Sequence, residues 1–294
     1  MIPSLQIAKA SQQQHAFTVD VEDWYHGAAD EDIKVCAERR LHYGLGSLLE
    51  LLAEFEVKGT FFWLGQAALD NPHLVKQVAE AGHEIGCHGL FHEFIYSMSP
   101  QRFRSDTQRA QEILADLTGK PVIAYRAPYF SITRKSLWAL DILTELGFRY
   151  DSSIFPIKNW RYGIQDFETE LQQIHTSTGS IYEIPLSVRQ VIGQNIPISG
   201  GAYFRLYPYI LTKYNFLTAE RKGRYVVFYT HPWELDPQHP PLSLHWKERL
   251  THNINLHSTQ TKLRRLLQDF CFTSLGDILE NQVLSENNIS QLVL

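Results

Sequence analysis

The chain of 294 residues has little sulfur and no long apolar run. It contains three cysteines, Cys36, Cys87 and Cys271. Because they are odd in number and widely spaced, neither a disulfide framework nor a cysteine-based zinc site is predicted. The longest apolar stretches, such as Leu48–Ala53, are far shorter than the roughly 20 residues that a membrane helix needs, so no transmembrane segment is expected.

Positive charge is also scarce and is not clustered. Lys and Arg number 27 against 32 Asp and Glu, which gives a net charge of −5 with histidine neutral. Without a basic tract the chain is a poor candidate for nucleic-acid binding. The N-terminus, MIPSLQIAKASQQQ, lacks a basic segment followed by a long apolar one, so no signal peptide is predicted and a cytoplasmic location is expected.

The abundant residues are apolar, aromatic and histidine. Apolar residues make up 44% and charged residues 20%, which is typical of a globular chain with a substantial core. There are 13 His, 6 Trp, 14 Tyr and 16 Phe. Histidine is the commonest metal ligand and aromatic rings often face sugars, but composition alone does not choose between these uses.

Short apolar runs alternate with amphipathic segments through most of the chain. The predicted strands are Ala16–Val21, Val57–Leu64, His83–Cys87, Val122–Tyr125, Phe148–Asp151, Ile181–Val188 and Tyr225–Thr230. The predicted helices are Leu41–Phe55, Asn71–Gly82, Ser99–Gly119, Thr133–Gly147, Tyr207–Lys222 and His245–Phe270. This alternation predicts an α/β fold of parallel strands covered by helices. We expect a single domain over 1–294, with its core at about 16–156 and 181–280 and a loop-rich insertion at about 156–205.

In such folds the chemistry lies at the carboxyl ends of the parallel strands. The first strand ends in Asp20-Val21-Glu22-Asp23. Three carboxylates this close repel one another, so the cluster is costly unless a cation or an arginine lies among them. The alternative is a solvated turn whose acids cap the next element.

Basic and imidazole side chains follow three further strands. His88 and His92 are four residues apart, so a helical turn there would let both imidazoles share one metal ion. Arg126 could orient a catalytic aspartate, and His231 could act as a third ligand or as a general acid or base. The alternatives are surface histidines, a structural ion pair and a hydrogen-bonded histidine, respectively.

Taken in order, these motifs resemble those of the NodB-homology polysaccharide deacetylases, the carbohydrate esterase family 4 type. The resemblance extends to the branch associated with exosortase/PEP-CTERM exopolysaccharide gene clusters, and to its C-terminal extension. It covers roughly residues 16–280. The segments that carry it are TVDVEDW (18–24), GHEIG (82–86), HGLFH (88–92), RAPYF (126–130), YDSS (150–153), GGAYFRLYPY (200–209) and YTHPWELDP (229–237).

The resemblance implies a distorted (β/α) barrel with about seven parallel strands and metal-dependent removal of N-acetyl, sometimes O-acetyl, groups from sugar polymers. It implies that Asp20 is the catalytic base and Arg126 its partner. His231 resembles the general acid, and the backbone near Tyr129 would help to hold the oxyanion.

The metal site is also implied by the resemblance, with one departure. His88 and His92 resemble ligands of a divalent metal, most often zinc, although two histidines and a carboxylate also suit cobalt, nickel or iron. Most members carry adjacent aspartates in the first motif, whereas this chain has D-V-E-D. If the strand continues through Glu22, that residue faces the same side as Asp20 and binds the metal. If the chain bends there, Asp23 takes the role.

The expected substrate is an acetylated carbohydrate polymer or a lipid-linked oligosaccharide in exopolysaccharide biosynthesis. A lipid-linked precursor at the inner membrane surface would reconcile a cytoplasmic enzyme with an exported polymer. Two alternatives stay open: a metal-dependent amidohydrolase acting on a small linear or cyclic amide, and a catalytically silent carbohydrate-binding protein. Trp24, Tyr25, Trp160 and Trp233 are candidates for stacking on sugar rings, with burial in the core as the alternative. The sequence predicts no particular oligomeric state.

Overall fold

A computed structural model describes residues 13–27, 37–240, 242, 251–284 and 289–293. Cys36, the N-terminal segment judged for a signal peptide and part of the predicted helix His245–Phe270 lie outside the described residues. Among the helices that are described, none has the length and apolar character needed to cross a membrane.

Within the described residues, the strands form one ten-stranded sheet and a separate two-stranded hairpin. The order in the large sheet is β10-β1-β2-β3-β4-β5-β7-β6-β12, with β11 also paired to β1. The strands from β10 to β7 are parallel to their neighbours, and only the β6–β7 pair is antiparallel in this sheet as described. The strands are β1 (Gln14–Val21), β2 (Thr60–Trp63), β3 (Glu84–Cys87), β4 (Ala124–Tyr125), β5 (Tyr150–Asp151), β6 (Gln172–Thr176), β7 (Gly179–Glu183), β8 (Val188–Val191), β9 (Gln194–Pro197), β10 (Val227–Thr230), β11 (Cys271–Thr273) and β12 (Ser290–Val293). The predicted α/β class with a mostly parallel sheet is confirmed.

Helices connect the parallel strands and pack on the sheet. The described helices are α1 (Leu41–Glu54), α2 (Gly65–Asp70), α3 (Pro72–Glu80), α4 (Pro100–Thr118), α5 (Trp138–Glu145), α6 (Gly201–Leu206), α7 (Tyr209–Glu220), α8 (Leu256–Asp269) and α9 (Leu275–Leu284). Helix α4 shows how the sequence sets these limits. The Ser99 hydroxyl accepts a hydrogen bond from the Arg102 N–H at the start, and Gly119 ends the helix with φ of 68°. Serine caps and left-handed glycine stops are the usual signals for these two ends.

The segment predicted as a loop-rich insertion contributes more to the sheet than expected. Strands β6 and β7 form a hairpin that extends the main sheet beyond β5. The predicted strand Ile181–Val188 is divided, because β7 ends at Glu183 and β8 begins at Val188. Pro185 lies between them and cannot donate a backbone hydrogen bond to a ladder, which explains the interruption.

Candidate active site

Polar side chains from four strand ends meet at one cavity of about 240 Å³. Asp20 is the penultimate residue of β1 and Glu22 follows the strand, while the other three strands that contribute are β3, β4 and β10. Because these strands are parallel neighbours, their carboxyl ends lie at the same edge of the sheet. The predicted site residues that line the cavity are Asp20, Glu22, His88, His92, Tyr129 and His231. Arg126 is fully buried beneath them.

Glu22, His88 and His92 form a cluster that could hold a metal ion. One potential ligand atom from each side chain lies within 4.8 Å of the other two. Glu22 Oε2 is 2.8 Å from His92 Nε2, but the two groups are not oriented as a hydrogen bond, and no other donor reaches this buried oxygen. An unsatisfied buried carboxylate oxygen facing two imidazoles is costly without a cation. We call these three residues the metal-ligand cluster.

The tautomer of His88 suits metal binding. Its Nδ1 lies 2.8 Å from the carbonyl oxygen of Arg126, so Nδ1–H donates to that carbonyl and Nε2 is left as the ligand atom. Burial lowers the pKa of His88 to about 4, against the opposing effect of Asp20. A neutral imidazole is the form that binds metal. Two imidazole nitrogens and one carboxylate, with room for a further ligand, match the donor set of catalytic zinc. The residues present therefore fit a divalent metal such as zinc.

Asp23, the alternative carboxylate ligand, has a different part in the structure. Its Oδ2 accepts hydrogen bonds from the backbone N–H groups of Arg40 at 2.8 Å and Leu41 at 3.0 Å. Its Oδ1 accepts one from Trp24 N–H at 2.9 Å. Asp23 therefore satisfies donors at the start of α1 and lies outside the metal-ligand cluster. The two alternatives left open by the sequence were a strand continued through Glu22 and a bend that places Asp23 at the metal. Strand β1 ends at Val21, yet it is Glu22, directly after the strand, that lies beside the histidines.

The segment that carries the two histidines is not helical. From their spacing of four residues, a helical turn was the condition under which both imidazoles would share one metal ion. His88 to His92 form a bent loop with Gly89 at φ of 83°. The carbonyl oxygens of Gly89 and Leu90 accept hydrogen bonds from the first two N–H groups of α2, at 2.8 and 3.0 Å. Helix α2, which was not predicted, thus fixes the loop and holds the two imidazole rings 5.6 Å apart.

Asp20 and Arg126 form a buried ion pair. Arg126 Nη1 donates to Asp20 Oδ1 at 2.8 Å and to the Thr18 hydroxyl at 2.7 Å. Its Nε and Nη2 donate to the carbonyl oxygen and hydroxyl of Ser152, each at 3.0 Å. The guanidinium is therefore held rigidly, and Asp20 Oδ2 is left facing the cavity. Such a carboxylate can accept a proton from a water molecule.

His231 is also oriented by a carboxylate. Its Nδ1 lies 2.6 Å from Glu234 Oε1, and its Nε2 lies 3.9 Å from Asp20 Oδ2 and 3.6 Å from Glu22 Oε1. Burial opposes protonation of His231, but the hydrogen bond to Glu234 and the charge of Glu22 outweigh it and raise its pKa to about 9. A protonated imidazole with Nε2 in the cavity can act as a general acid.

Sequence reasoning assigned no role to Glu234 and Arg205, which support His231. Arg205 Nε donates to Glu234 Oε2 at 2.5 Å, and its other nitrogens donate to the carbonyl oxygens of Thr251, His252 and Ile254. Burial would raise the pKa of Glu234, but Arg205 and His231 lower it to about 2. The spacing of His231 and Glu234 was visible in the sequence. The pairing with Arg205 joins residues far apart in the chain and was not.

The aromatic candidates divide between buried and exposed positions. Trp24 and Tyr25 are buried. Trp233 stacks on His231 with ring centroids 5.2 Å apart. Tyr129 has φ of 57° and places its ring 4.1 Å from that of His92. Trp160 is 85% exposed, an unusual position for so large an apolar ring.

Comparison with known families divides the chain into two matched regions. Residues 44–150 match the model of the polysaccharide deacetylase family. Residues 152–280 match a domain of unknown function, DUF3473. Residues 44–150 therefore support a polysaccharide deacetylase domain, which is followed by the DUF3473 match. This agrees with the resemblance at the level of that domain, while its exosortase/PEP-CTERM branch stays a prediction.

Curated relatives and solved structures agree with this assignment. A peptidoglycan deacetylase of Helicobacter pylori is 28% identical over 145 residues, covering 47% of this chain and 48% of that protein. A peptidoglycan-N-acetylglucosamine deacetylase of Bacillus cereus is 35% identical over 95 residues, covering 32% and 34%. The chain thus spans about half, or less, of the length of these curated relatives. A structure from Mycobacterium smegmatis, assigned as a polysaccharide deacetylase, covers 97% of this chain and 96% of its own with a TM-score of 0.65 and 20% identity, which shows that the fold is shared.

Proposed function

We propose that this chain is a metal-dependent deacetylase that hydrolyses N-acetyl groups on a polysaccharide or a lipid-linked oligosaccharide. The observation that carries the proposal is the placement of the metal-ligand cluster between an Asp20–Arg126 pair and a His231–Glu234 pair. The cavity therefore offers a candidate base on one side and a candidate acid on the other. The names of the relatives support sugar-linked acetamides as the substrate class.

A divalent metal held by Glu22, His88 and His92 supplies, when bound, a Lewis acid for an acetamide carbonyl. Asp20 Oδ2 takes the proton from the attacking water, while Arg126 fixes the carboxylate through Oδ1. His231 donates its Nε2 proton to the departing amine, which would otherwise leave as a strongly basic anion. The backbone at Tyr129 is the proposed donor to the oxyanion, because its turn lines the same cavity.

The biological setting belongs to the same proposal. We place the chain in exopolysaccharide biosynthesis, acting on a lipid-linked precursor at the inner membrane surface, because its sequence motifs resemble those of that branch. Zinc is the proposed metal because of the His, His, carboxylate donor set. Catalytic silence is the least supported alternative, since each group that the reaction needs lies at the cavity.

A hydrolase of small cyclic amides is the second candidate. A PuuE allantoinase structure covers 92% of this chain with a TM-score of 0.56 and 16% identity, so that fold is compatible with this chain. The experiment that separates the candidates measures acetate release from N-acetylglucosamine oligomers and ring opening of allantoin in parallel, with zinc supplied.

We expect acetate release from the oligomers and no hydrolysis of allantoin. In Asp20→Asn, acetate release should fall by about 100-fold or more, because the amide cannot accept the proton of the water. Glu80→Gln, which changes an exposed carboxylate that does not line the cavity, is the matched control and should retain activity. Hydrolysis of allantoin alone, or full activity in Asp20→Asn, would contradict the proposal.

A further inference from the structure

A second groove of about 430 Å³, which we call the basic groove, adjoins the catalytic cavity. Arg161 and Tyr162 line both spaces, so the two meet at these residues. The groove is formed by the turns after β4 and β5. Its other lining residues are Tyr96, Thr133, Arg134, Lys135, Ile157, Lys158, Asn159, Trp160, Gly163, Ile164, Gln165 and Asp166.

The charge of this groove is opposite in sign to that of the whole chain. Its cationic residues are Arg134, Lys135, Lys158 and Arg161, and its acidic residue is Asp166. Asp166 forms an ion pair with Arg134. Within the described part of the chain, the exposed ammonium groups of Lys135 and Lys158 make no ion pair. A chain of net charge −5 therefore presents a locally positive surface beside its candidate active site.

Arg161 lies at the junction of the two spaces and is held by aromatic rings. Its guanidinium carbon is 5.1 Å from the ring centre of Tyr129, 5.2 Å from Phe94 and 5.4 Å from Trp160. The rings of Phe94 and Tyr129 are stacked 4.1 Å apart. Tyr129 in turn contacts the ring of His92. These contacts hold a planar cation between the metal-ligand cluster and the groove, and a guanidinium recognises carboxylate and phosphate groups well.

Trp160 supplies a second kind of contact at the same place. Its ring is 85% exposed although it is a large hydrophobic side chain. An exposed flat ring beside cationic side chains can pack against the face of a sugar while the cations bind anionic substituents. The combination suits a charged glycan better than a neutral one.

We propose that the basic groove binds anionic carboxylate or phosphate groups on the glycan that enters the catalytic cavity. This inference rests on the proposed function, and it narrows the substrate class to acidic glycans or to glycans on a pyrophosphate-linked lipid. Both sources present the same anionic oxygen chemistry to Lys135, Lys158 and Arg161, and Trp160 packs on the adjoining sugar.

The test measures binding to the full chain by calorimetry, without turnover. Three probes of equal sugar length are compared: an N-acetylglucosamine oligomer, an oligomer that alternates N-acetylglucosamine with glucuronic acid, and an N-acetylglucosamine oligomer bearing a short prenyl pyrophosphate. We expect at least one anionic probe to bind about tenfold tighter than the neutral oligomer at low salt, with the preference falling as salt rises.

The variant Lys135→Gln/Lys158→Gln should lose most of that preference while its affinity for the neutral oligomer changes by less than about twofold. The control Lys76→Gln/Lys120→Gln removes two exposed charges elsewhere and should keep the preference. Trp160→Ala should weaken the binding of all three probes. Equal affinities of the wild type for all probes, or equal losses in the two lysine variants, would overturn the inference.

The outcome is separable from that of the proposed function. Acetate release from the neutral oligomer without any preference for anionic probes would refute anion binding by the basic groove and would still support the deacetylase activity. A preference for anionic probes without acetate release from any probe would support anion binding by the basic groove and refute the deacetylase activity.

Discussion

At the scale of single residues, the protonation of His231 depends on one neighbour. Glu234 holds Nδ1, and together with Glu22 it keeps the imidazole charged despite burial. A general acid works only while it is protonated, so activity should be lost as the pH rises through the pKa of His231.

Replacing Glu234 with glutamine should move this alkaline limb to lower pH. The amide keeps the size of the side chain but removes the charge that favours the imidazolium, so we expect a shift of about one pH unit or more. The measurement is kcat against pH in the zinc-loaded enzyme, with thermal unfolding followed in parallel because Arg205 loses its buried partner. Glu80→Gln, at an exposed position, is the control. An unchanged limb in a folded Glu234→Gln variant would contradict this role for Glu234.

The choice between Glu22 and Asp23 shows what the sequence could not provide at this scale. If the strand continued, its alternation would place Glu22 on the same side as Asp20, but β1 ends at Val21, one residue before Glu22. The orientation of Asp23 depends on the N–H groups of Arg40 and Leu41, which are 17 and 18 residues away in the sequence. The residue types of the site were predictable, whereas this division between two adjacent carboxylates required the tertiary structure.

At the scale of elements, β5 and β7 bring two carboxyl groups together. Asp151 and Glu183 are register partners and both are fully buried. Asp151 Oδ1 accepts the Ser153 hydroxyl at 2.5 Å, and Glu183 Oε1 accepts the Ile154 N–H at 2.9 Å. The remaining oxygens have no hydrogen-bond partner. Burial raises the pKa of both groups, so a proton shared between them is the stable arrangement.

Glu183→Gln should therefore be tolerated and should flatten the dependence of stability on pH. Because the folded pKa is raised, the folded wild type binds more protons than the unfolded chain, and its stability falls as the pH rises above about 4.5. The glutamine donates a hydrogen bond to Asp151 without needing a proton. Urea unfolding at about pH 5 and pH 8 should show a smaller difference in the variant than in the wild type.

Glu280→Gln, an exposed carboxylate, serves as the control and should follow the wild type. The contrary result is a Glu183→Gln variant that is less stable than the wild type at both pH values and whose stability changes between the two pH values as much as that of the wild type. That result would show that the pair does not share a proton.

The elements that the sequence missed have common physical causes. Helices α2 and α6 have six residues each, too few to display a helical period. Helix α2 is nevertheless the element that fixes the loop from His88 to His92. Most of the longer elements were predictable because their apolar spacing, caps and stops lie within the element, as in α4. The ten-residue helix α9 is an exception, since it was not predicted. Contacts between loops, such as that of Phe94 with Arg161, have no periodic signal.

At the scale of the whole molecule, the candidate site draws on all parts of the chain. Asp20 and Glu22 precede both matched regions, His88 and His92 belong to the deacetylase match, and His231 belongs to the DUF3473 match. Strand β10 of the DUF3473 region pairs directly with β1. We infer that neither matched region alone holds the complete set of groups that the proposed reaction needs.

The most direct test of the central claim is acetate release by the full chain after chelation and after zinc is restored. The account predicts that chelated wild type is inactive, that zinc restores activity, and that Asp23→Asn, which lies outside the metal-ligand cluster, is restored as well if it folds. Glu22→Gln should bind zinc about 100-fold more weakly or worse and should not be restored at stoichiometric zinc, because one of three ligands is lost. Full activity of the chelated wild type, or full restoration of Glu22→Gln by stoichiometric zinc, would contradict the account.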